Sequence, residues 1–284
     1  MNSKKNILIT GGAGFIGSHL IDYLINDGNY SITCVDNFDN FYDPEIKRKN
    51  IESHITNSDF KLIEADITDK GLFDKLEEYY DIVVHLAAKA GVRPSIQDPV
   101  LYQHVNVVGL QNILEIGKRK SVKQFVFGSS SSVYGVNPNY PWKESDTELM
   151  PVSPYASSKI AGEWIGKTYS RLYDMRFIAL RFFTVFGPRQ RPDLAINNFI
   201  EMRAKTADPK FLLQKKIEAK LHERYPDKWI PAYSQVTFSP HIRYSEALKN
   251  SQKQEAIMQG VMEQPDIEEK WDSGEVEKLI LQKL

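Results

Sequence analysis

The stretch Thr10-Gly11-Gly12-Ala13-Gly14-Phe15-Ile16-Gly17 constrains this chain most, because of what flanks it. Before it lies a short apolar run, residues 6–10, that reads as a strand; after it comes a stretch of 3.6-residue periodicity, 14–27, that reads as a helix. In a strand-to-helix turn of this kind Gly11 permits the tight reversal and Gly14 lets the backbone approach a diphosphate. Gly17 lets the helix pack closely on the strand. The unpaired N–H groups and positive dipole end of the helix then converge on an anion. Such a unit needs a parallel sheet to sit in.

The rest of the first two-thirds supplies one. Apolar runs at 31–36, 60–64, 81–86, 122–128 and 176–182 alternate with amphipathic stretches at 46–54, 70–79, 100–120 and 154–173. That alternation predicts an α/β fold: a doubly wound, Rossmann-like parallel sheet with helices on both faces. Beyond about residue 196 the character changes. Fourteen of the sixteen glycines precede residue 201, and strand signals almost vanish after it. Helical stretches at 211–225, 244–262 and 267–284 predict a mainly helical C-terminal segment. Two domains are expected, 1–196 and 197–284.

A formal net charge of -1 argues against a broad electrostatic grip on nucleic acid or on an anionic membrane. The start of the chain holds no apolar stretch of signal-peptide length, and no segment reaches membrane-spanning length, so a cytoplasmic protein with a small-molecule partner is expected. Cys34 is the only cysteine and lies inside an apolar strand, which predicts a packed core residue. The six histidines never fall into a ligand spacing with one another or with Cys34, so no metal is expected.

Asp36 ends the second strand, 19 residues beyond Gly17. A carboxylate there accepts both ribose hydroxyls of a dinucleotide and repels a 2'-phosphate, so NAD is favoured over NADP. The alternative is that Asp36 only begins the turn Asp36-Asn37-Phe38-Asp39-Asn40. Asp66, before Ile67 and after the third strand, meets an adenine amine or caps the following helix. Ala87 and Ala88 end the fourth strand with small side chains, which suits either close passage of a cofactor or simple packing. Tyr155 and Lys159 stand one helical turn apart, on one face. An ammonium so placed favours the phenolate and is expected to lower the tyrosine pKa, making Tyr155 a usable base for hydride-transfer chemistry.

These residues carry a resemblance. Residues 1–196 resemble an extended short-chain dehydrogenase/reductase of the NAD-dependent epimerase/dehydratase family: Thr10 to Gly17 is similar to its cofactor loop, and Tyr155-Ala156-Ser157-Ser158-Lys159 to its Tyr-x-x-x-Lys pair. Ser129-Ser130-Ser131-Ser132-Val133-Tyr134-Gly135 is similar to its hydroxyl-bearing strand end. Within that family, 36–44, 85–93 and 181–193 look most like the UDP-glucuronate 4-epimerases. The resemblance implies a UDP-sugar substrate and transient oxidation at sugar C4. Tyr155 would act as base, Lys159 as its partner on the ribose, and Ser130 as a hydrogen-bond donor to the reacting oxygen, with Ser131 the alternative. NAD would lie on Gly11, Gly14, Phe15, Ile16, Gly17, Asp36, Asn37, Asp66, Ile67, Ala87 and Ala88 as well as on the pair. Arg191 would read the uronate carboxylate, Arg93 the diphosphate and Thr184 the sugar or nucleotide; Asn106 would support the site. Each arginine reads equally as a solvated surface residue, and Asn106 as a buried amide that satisfies backbone. A 4,6-dehydratase would need an acidic pair where Ser130 and Ser131 stand. Family members also pair through two helices across a dyad, one of which would be 154–173, so a homodimer is possible.

The resemblance stops near Leu194-Ala195-Ile196. Residues 197–284, beginning Asn197-Asn198-Phe199-Ile200-Glu201-Met202-Arg203, resemble the C-terminal part of a kynurenine 3-monooxygenase instead. On that likeness Asn198, Glu201 and Arg203 correspond to residues near a flavin, or are simple helix residues. A fusion of two unrelated fragments is expected, and three readings follow: an epimerase, an NAD-binding module without turnover, or a monooxygenase fragment.

Overall fold

The computed structural model describes residues 4–139, 141–194 and Glu263. The chain divides into two units, Met1–Leu194 and Ala195–Leu284. The first is described here. The expected helices at 211–225, 244–262 and 267–284, and residues Asn198, Glu201 and Arg203, lie outside the described residues.

Six parallel strands, β1 (Lys5–Thr10), β2 (Tyr30–Asp36), β3 (Phe60–Glu64), β4 (Ile82–His85), β5 (Gln124–Ser130) and β6 (Arg176–Phe182), form one sheet in the order β3-β2-β1-β4-β5-β6. The order reverses between β1 and β4. The chain leaves β1 toward β2 on one side and leaves β4 toward β5 on the other, so the connections diverge there and open a crevice at the carboxyl edge of the strands. Both faces of the sheet are covered, as the near-continuous apolar runs require. Along β1 the pleat sends Leu8 to one core with Val83, Leu110, Ile113, Leu114, Phe125 and Phe127, and sends Ile7 and Ile9 to the other with Ile21, Ile32, Cys34 and Ile51. Cys34 is fully buried, in keeping with its packing role.

The helices are α1 (Phe15–Asp27), α2 (Pro44–Ile51), α3 (Leu72–Lys75), α4 (Val92–Gln97), α5 (Pro99–Gln103), α6 (Gly109–Arg119) and α7 (Pro154–Leu172). Two expectations need correction. The helix expected at 70–79 is the single turn of α3: Asp69 accepts the Gly71 N–H in a side-chain turn before it, and Leu76 already leaves the helix in extended backbone, ψ 153°. The helix expected at 100–120 is α5 and α6 joined by a π-helical turn, His104–Val108. α1 ends at Gly28, whose φ of 77° is a left-handed C-cap. α7 starts where Ser153 accepts the Ala156 N–H at 3.1 Å and Pro154 takes the first helical position.

Candidate functional site

A cleft of about 580 Å³ opens at the carboxyl edge of the sheet, at the reversal of strand order. Its floor is the glycine loop. Gly11 has φ 71°, and a Cβ on it would stand 2.6 Å from the Ala87 nitrogen; a Cβ on Gly17 would stand 2.5 Å from the Gly11 oxygen. A Cβ on Gly14 would meet only that same oxygen, at 3.3 Å. No side chain caps the start of α1, whose Gly14, Phe15, Ile16 and Gly17 line the cleft. The turn therefore presents backbone N–H groups, with no side chain between them and an incoming anion.

The walls come from the ends of the other strands. Asp36 is buried, and its two oxygens accept from the Ala13 N–H at 3.1 Å and the Phe38 N–H at 2.9 Å, with the Lys47 ammonium 4.0 Å away. Burial raises its pKa, against the pull of Lys47 and of the two N–H groups. Asp36 thus ties the glycine loop to β2 and still faces the cleft. Asn37 donates to Asp66 at 2.7 Å, while the other oxygen of Asp66 accepts from Thr68 N and Oγ1. Asp66 both holds its turn and lines the cleft with Ile67, so its two readings coexist. Ala87 and Ala88 line it as well. At the reversal point Thr10 Oγ1 and His85 Nδ1 lie 2.7 Å apart, and the ring is buried between Phe125 and Phe127.

Tyr155 and Lys159 enter from α7. Lys159 is 4 % exposed, and its Nζ donates to the Gly128 carbonyl at 2.7 Å. Burial pulls its pKa down to about 8. The expected lowering of the Tyr155 pKa by Lys159 is corrected here: burial raises the phenol pKa, and the groups that oppose this are Ser130, by hydrogen bond, and Arg191, by charge. The ammonium sits 5.8 Å from the centre of the tyrosine ring and spends its short contact on Gly128. Of the two serines left open by the sequence, Ser130 lines the cleft together with Tyr155. Ser132, not singled out from the sequence, lines the cleft and donates to Ser130 at 2.9 Å; Ser131 is not among the lining residues.

Thr184 and Arg191 line the cleft, with Arg191 forked on Asp193 at 2.9–3.0 Å and stacked over Phe41. Arg93 is exposed in the first turn of α4 and is not a lining residue, although Gly91 and Val92 are. Asn106 is buried in the π-helical turn and bridges both backbone groups of Lys89 to Ser158 Oγ on α7. Lys47, Lys89 and Asp39 also line the cleft, the last two paired at 2.7 Å. Only the fold brings them there, because nothing in their spacing marks them. Among the described residues no group of three or more His, Cys, Asp or Glu side chains could hold a metal, and no helix is long and apolar enough to cross a membrane.

A doubly wound sheet with a glycine-floored crevice, an acidic β2 end and a buried tyrosine–lysine helix defines a Rossmann-like α/β class. Residues 7–218 match the NAD dependent epimerase/dehydratase family, and the chain belongs to it. It is 43 % identical over 197 residues to UDP-glucuronate 4-epimerase 1 of Arabidopsis thaliana, covering 68 % of this chain and 46 % of that protein. Among solved structures it is similar to UDP-glucuronic acid 4-epimerase from Bacillus cereus in complex with UDP-glucuronic acid and NAD, at 37 % identity and TM-score 0.66 over 70 % of this chain and 63 % of that one. UDP-N-acetylglucosamine 4-epimerase from Methanobrevibacter ruminantium M1 in complex with UDP-N-acetylmuramic acid matches at 35 % identity and TM-score 0.65, over 72 % and 64 %. The chain spans about half the length of the curated relatives it matches.

Proposed function

We propose that this chain is an NAD-dependent nucleotide-sugar 4-epimerase acting on UDP-glucuronate. The observation that carries the reading is the convergence on one cleft of the glycine loop, Asp36, Ser130, Tyr155 and Lys159. The cleft fits the dinucleotide: backbone N–H groups with no capping side chain suit the diphosphate, and the buried Asp36 carboxylate suits a ribose diol over a 2'-phosphate. When bound, NAD supplies reversible hydride acceptance at its nicotinamide.

The chain's own residues do the rest. Tyr155 takes and returns the proton of the sugar 4-hydroxyl, and Ser130 holds both the phenol and the sugar oxygen. Lys159 keeps positive charge beside the phenolate and reaches the nicotinamide ribose. Arg191 offers a planar fork to the uronate carboxylate in place of Asp193. Calorimetry with NAD, then incubation with UDP-glucuronate and analysis of the released sugar, tests this; NAD binding followed by inversion at C4 is expected.

A second reading, NAD binding without turnover, is favoured by the distribution of lining residues. The dinucleotide side of the cleft is built from many residues between Gly11 and Lys159, while the sugar side draws on few, chiefly Ser130, Thr184 and Arg191. Tight NAD binding with no change at C4 is its signature. The resemblance of 197–284 to a kynurenine 3-monooxygenase supports a fused origin for that segment, which a colourless purified protein without FAD would leave with no flavin role.

A further inference from the structure

Tyr155, Lys159 and Glu163 follow one another at four-residue intervals along one face of α7, and each meets the end of β5. Tyr155 shares the cleft with Ser130, Lys159 donates to the Gly128 carbonyl and Glu163 accepts from Ser129. The proposed function uses the first two contacts and leaves the third without a purpose. Glu163 is 2 % exposed, and its carboxylate accepts from Ser129 Oγ at 2.6 Å, from Arg181 Nε at 2.9 Å and from Arg181 Nη2 at 2.8 Å. Arg181 lies on β6 directly opposite Ser129 in the strand register, and its guanidinium stacks 4.8 Å over the Tyr134 ring.

We infer that Ser129, Glu163 and Arg181 form a positioning brace that fixes the end of β5 against α7 and so sets the register in which Ser130 meets Tyr155. A planar fork on a carboxylate admits one geometry, and the low dielectric of the interior strengthens it. Ser129 hangs from that fixed carboxylate by one bond, and Ser130 is its neighbour in extended backbone, φ -151° and ψ 147°. A shift of β5 by a fraction of an ångström along α7 would move Ser130 relative to the Tyr155 phenol; the single Lys159 bond opposes it less than the two-pronged Glu163–Arg181 pair does. Burial pushes the Glu163 carboxyl up, but the bonds from Arg181 and Ser129 outweigh this and hold it below its ordinary value, so the brace stays ionised through the neutral range. Glu163 and Arg181 touch no lining residue of the cleft other than Ser129 among the contacts described, and act through it.

The inference rests on Tyr155 being the reacting phenol, yet its test needs neither NAD nor turnover. Replacing Glu163 by Ala strands a buried guanidinium and reports on folding instead, so the link is cut at Ser129. The full chain, labelled with 13Cζ-tyrosine, is titrated by NMR, with Tyr155→Phe identifying the Tyr155 signal. The groups facing that phenol are Ser130 from β5, Tyr102 from α5, Lys159 from α7 and Arg191 from the segment after β6. None of these is altered by Ser129→Ala, which also leaves the Glu163–Arg181 pair intact. Loss of the brace is expected to raise the Tyr155 midpoint by about half a pH unit or more, in the direction given by Ser130→Ala. Ser129→Thr, which keeps the hydroxyl, is expected to restore the wild-type midpoint. A Tyr155 midpoint unmoved in Ser129→Ala, or one that Ser129→Thr fails to restore, overturns the brace. Absence of NAD binding by wild-type protein overturns the proposed function and leaves this result standing.

Discussion

Lys159 Nζ lies 2.7 Å from the Gly128 carbonyl oxygen, and among the described residues this buried ammonium has that one short acceptor and no carboxylate paired with it. A helix-borne cation is thus inserted under the end of β5, where it holds α7 to the sheet and stands beside the Tyr155 ring. The interior gives it little solvation in return.

The first prediction follows from that cost. Burial lowers the Lys159 pKa from 10.5 to about 8, so below pH 8 folding must keep a charge in an environment that opposes it. The unfolded chain binds this proton up to about pH 10.5, so stability rises with pH between 8 and 10.5 and the full penalty applies at pH 7. Lys159→Met keeps the volume and removes the charge. It is expected to stabilise the fold at pH 7 by about 1–3 kcal/mol, to flatten the alkaline rise and to abolish epimerisation. Urea unfolding at pH 7 and pH 9.5 checks this, and a destabilised variant would show that the Gly128 bond outweighs the burial of charge.

Tyr155→Phe removes one oxygen from a half-buried ring whose packing against Tyr102 remains. Epimerisation is expected to fall by about a thousandfold or more, as loss of a positioned base demands, with NAD affinity changed less than about twofold. Sugar analysis after incubation with UDP-glucuronate gives the rate and calorimetry the affinity. An unchanged rate removes Tyr155 from the chemistry.

How much of this was legible in the sequence depends on the kind of interaction. β3 and β6 fall where apolar runs place them, and the glycine loop, Asp36, Tyr155 and Lys159 share one cleft, because strand alternation and glycine geometry are local properties. What was illegible is non-local. Lys47, Lys89 and Asp39 meet in the cleft only through the sheet order, and the Glu163–Arg181 pair needs α7 docked over β6 before it exists. The rise of the Tyr155 pKa is hidden for the same reason: spacing on a helix shows that Lys159 is near, but not that its ammonium is turned to Gly128 or that burial acts on the phenol more strongly. α3 is a single turn because Asp69 takes the Gly71 N–H before it and Leu76 turns extended after it, local choices that periodicity does not register.

Acid sensitivity follows from His85. Burial, and secondarily the Lys159 charge, lower its pKa from 6.5 to about 3, so the folded ring stays neutral where the unfolded one accepts a proton. The folded value lies below the unfolded one, so stability is complete above pH 6.5 and declines as pH falls toward 3. At pH 5 the loss from this group is expected to be about 2 kcal/mol. Carboxylates held below their ordinary values, such as Asp22, Asp66 and Glu163, contribute only at lower pH, while Asp36, raised by burial, acts with the opposite sign; over the window from 6.5 to 5 the difference between wild type and a His85 variant isolates the histidine. Denaturant titrations across that window, compared with His85→Gln, check it; an equal slope in the variant would refute the assignment.

Gly17→Ala separates the glycine that the fold demands from one that only the chain direction demands. At Gly17 a Cβ would stand 2.5 Å from the Gly11 oxygen and 2.7 Å from the Gly12 Cα, and these are backbone atoms of the turn that cannot rotate away. The start of α1 must move off β1, carrying the N–H groups of Gly14 and Phe15 with it. NAD affinity is expected to fall at least tenfold, with a stability loss of about 1–3 kcal/mol from overpacking. At Gly28 a Cβ meets nothing within 4 Å, but φ is +77°, so Gly28→Ala costs backbone strain of about 1 kcal/mol and leaves NAD affinity unchanged. Calorimetry and thermal melts on the two variants separate the effects. Equal losses of NAD affinity in both would mean that the glycine loop senses global stability, and that its close packing has no particular hold on the dinucleotide.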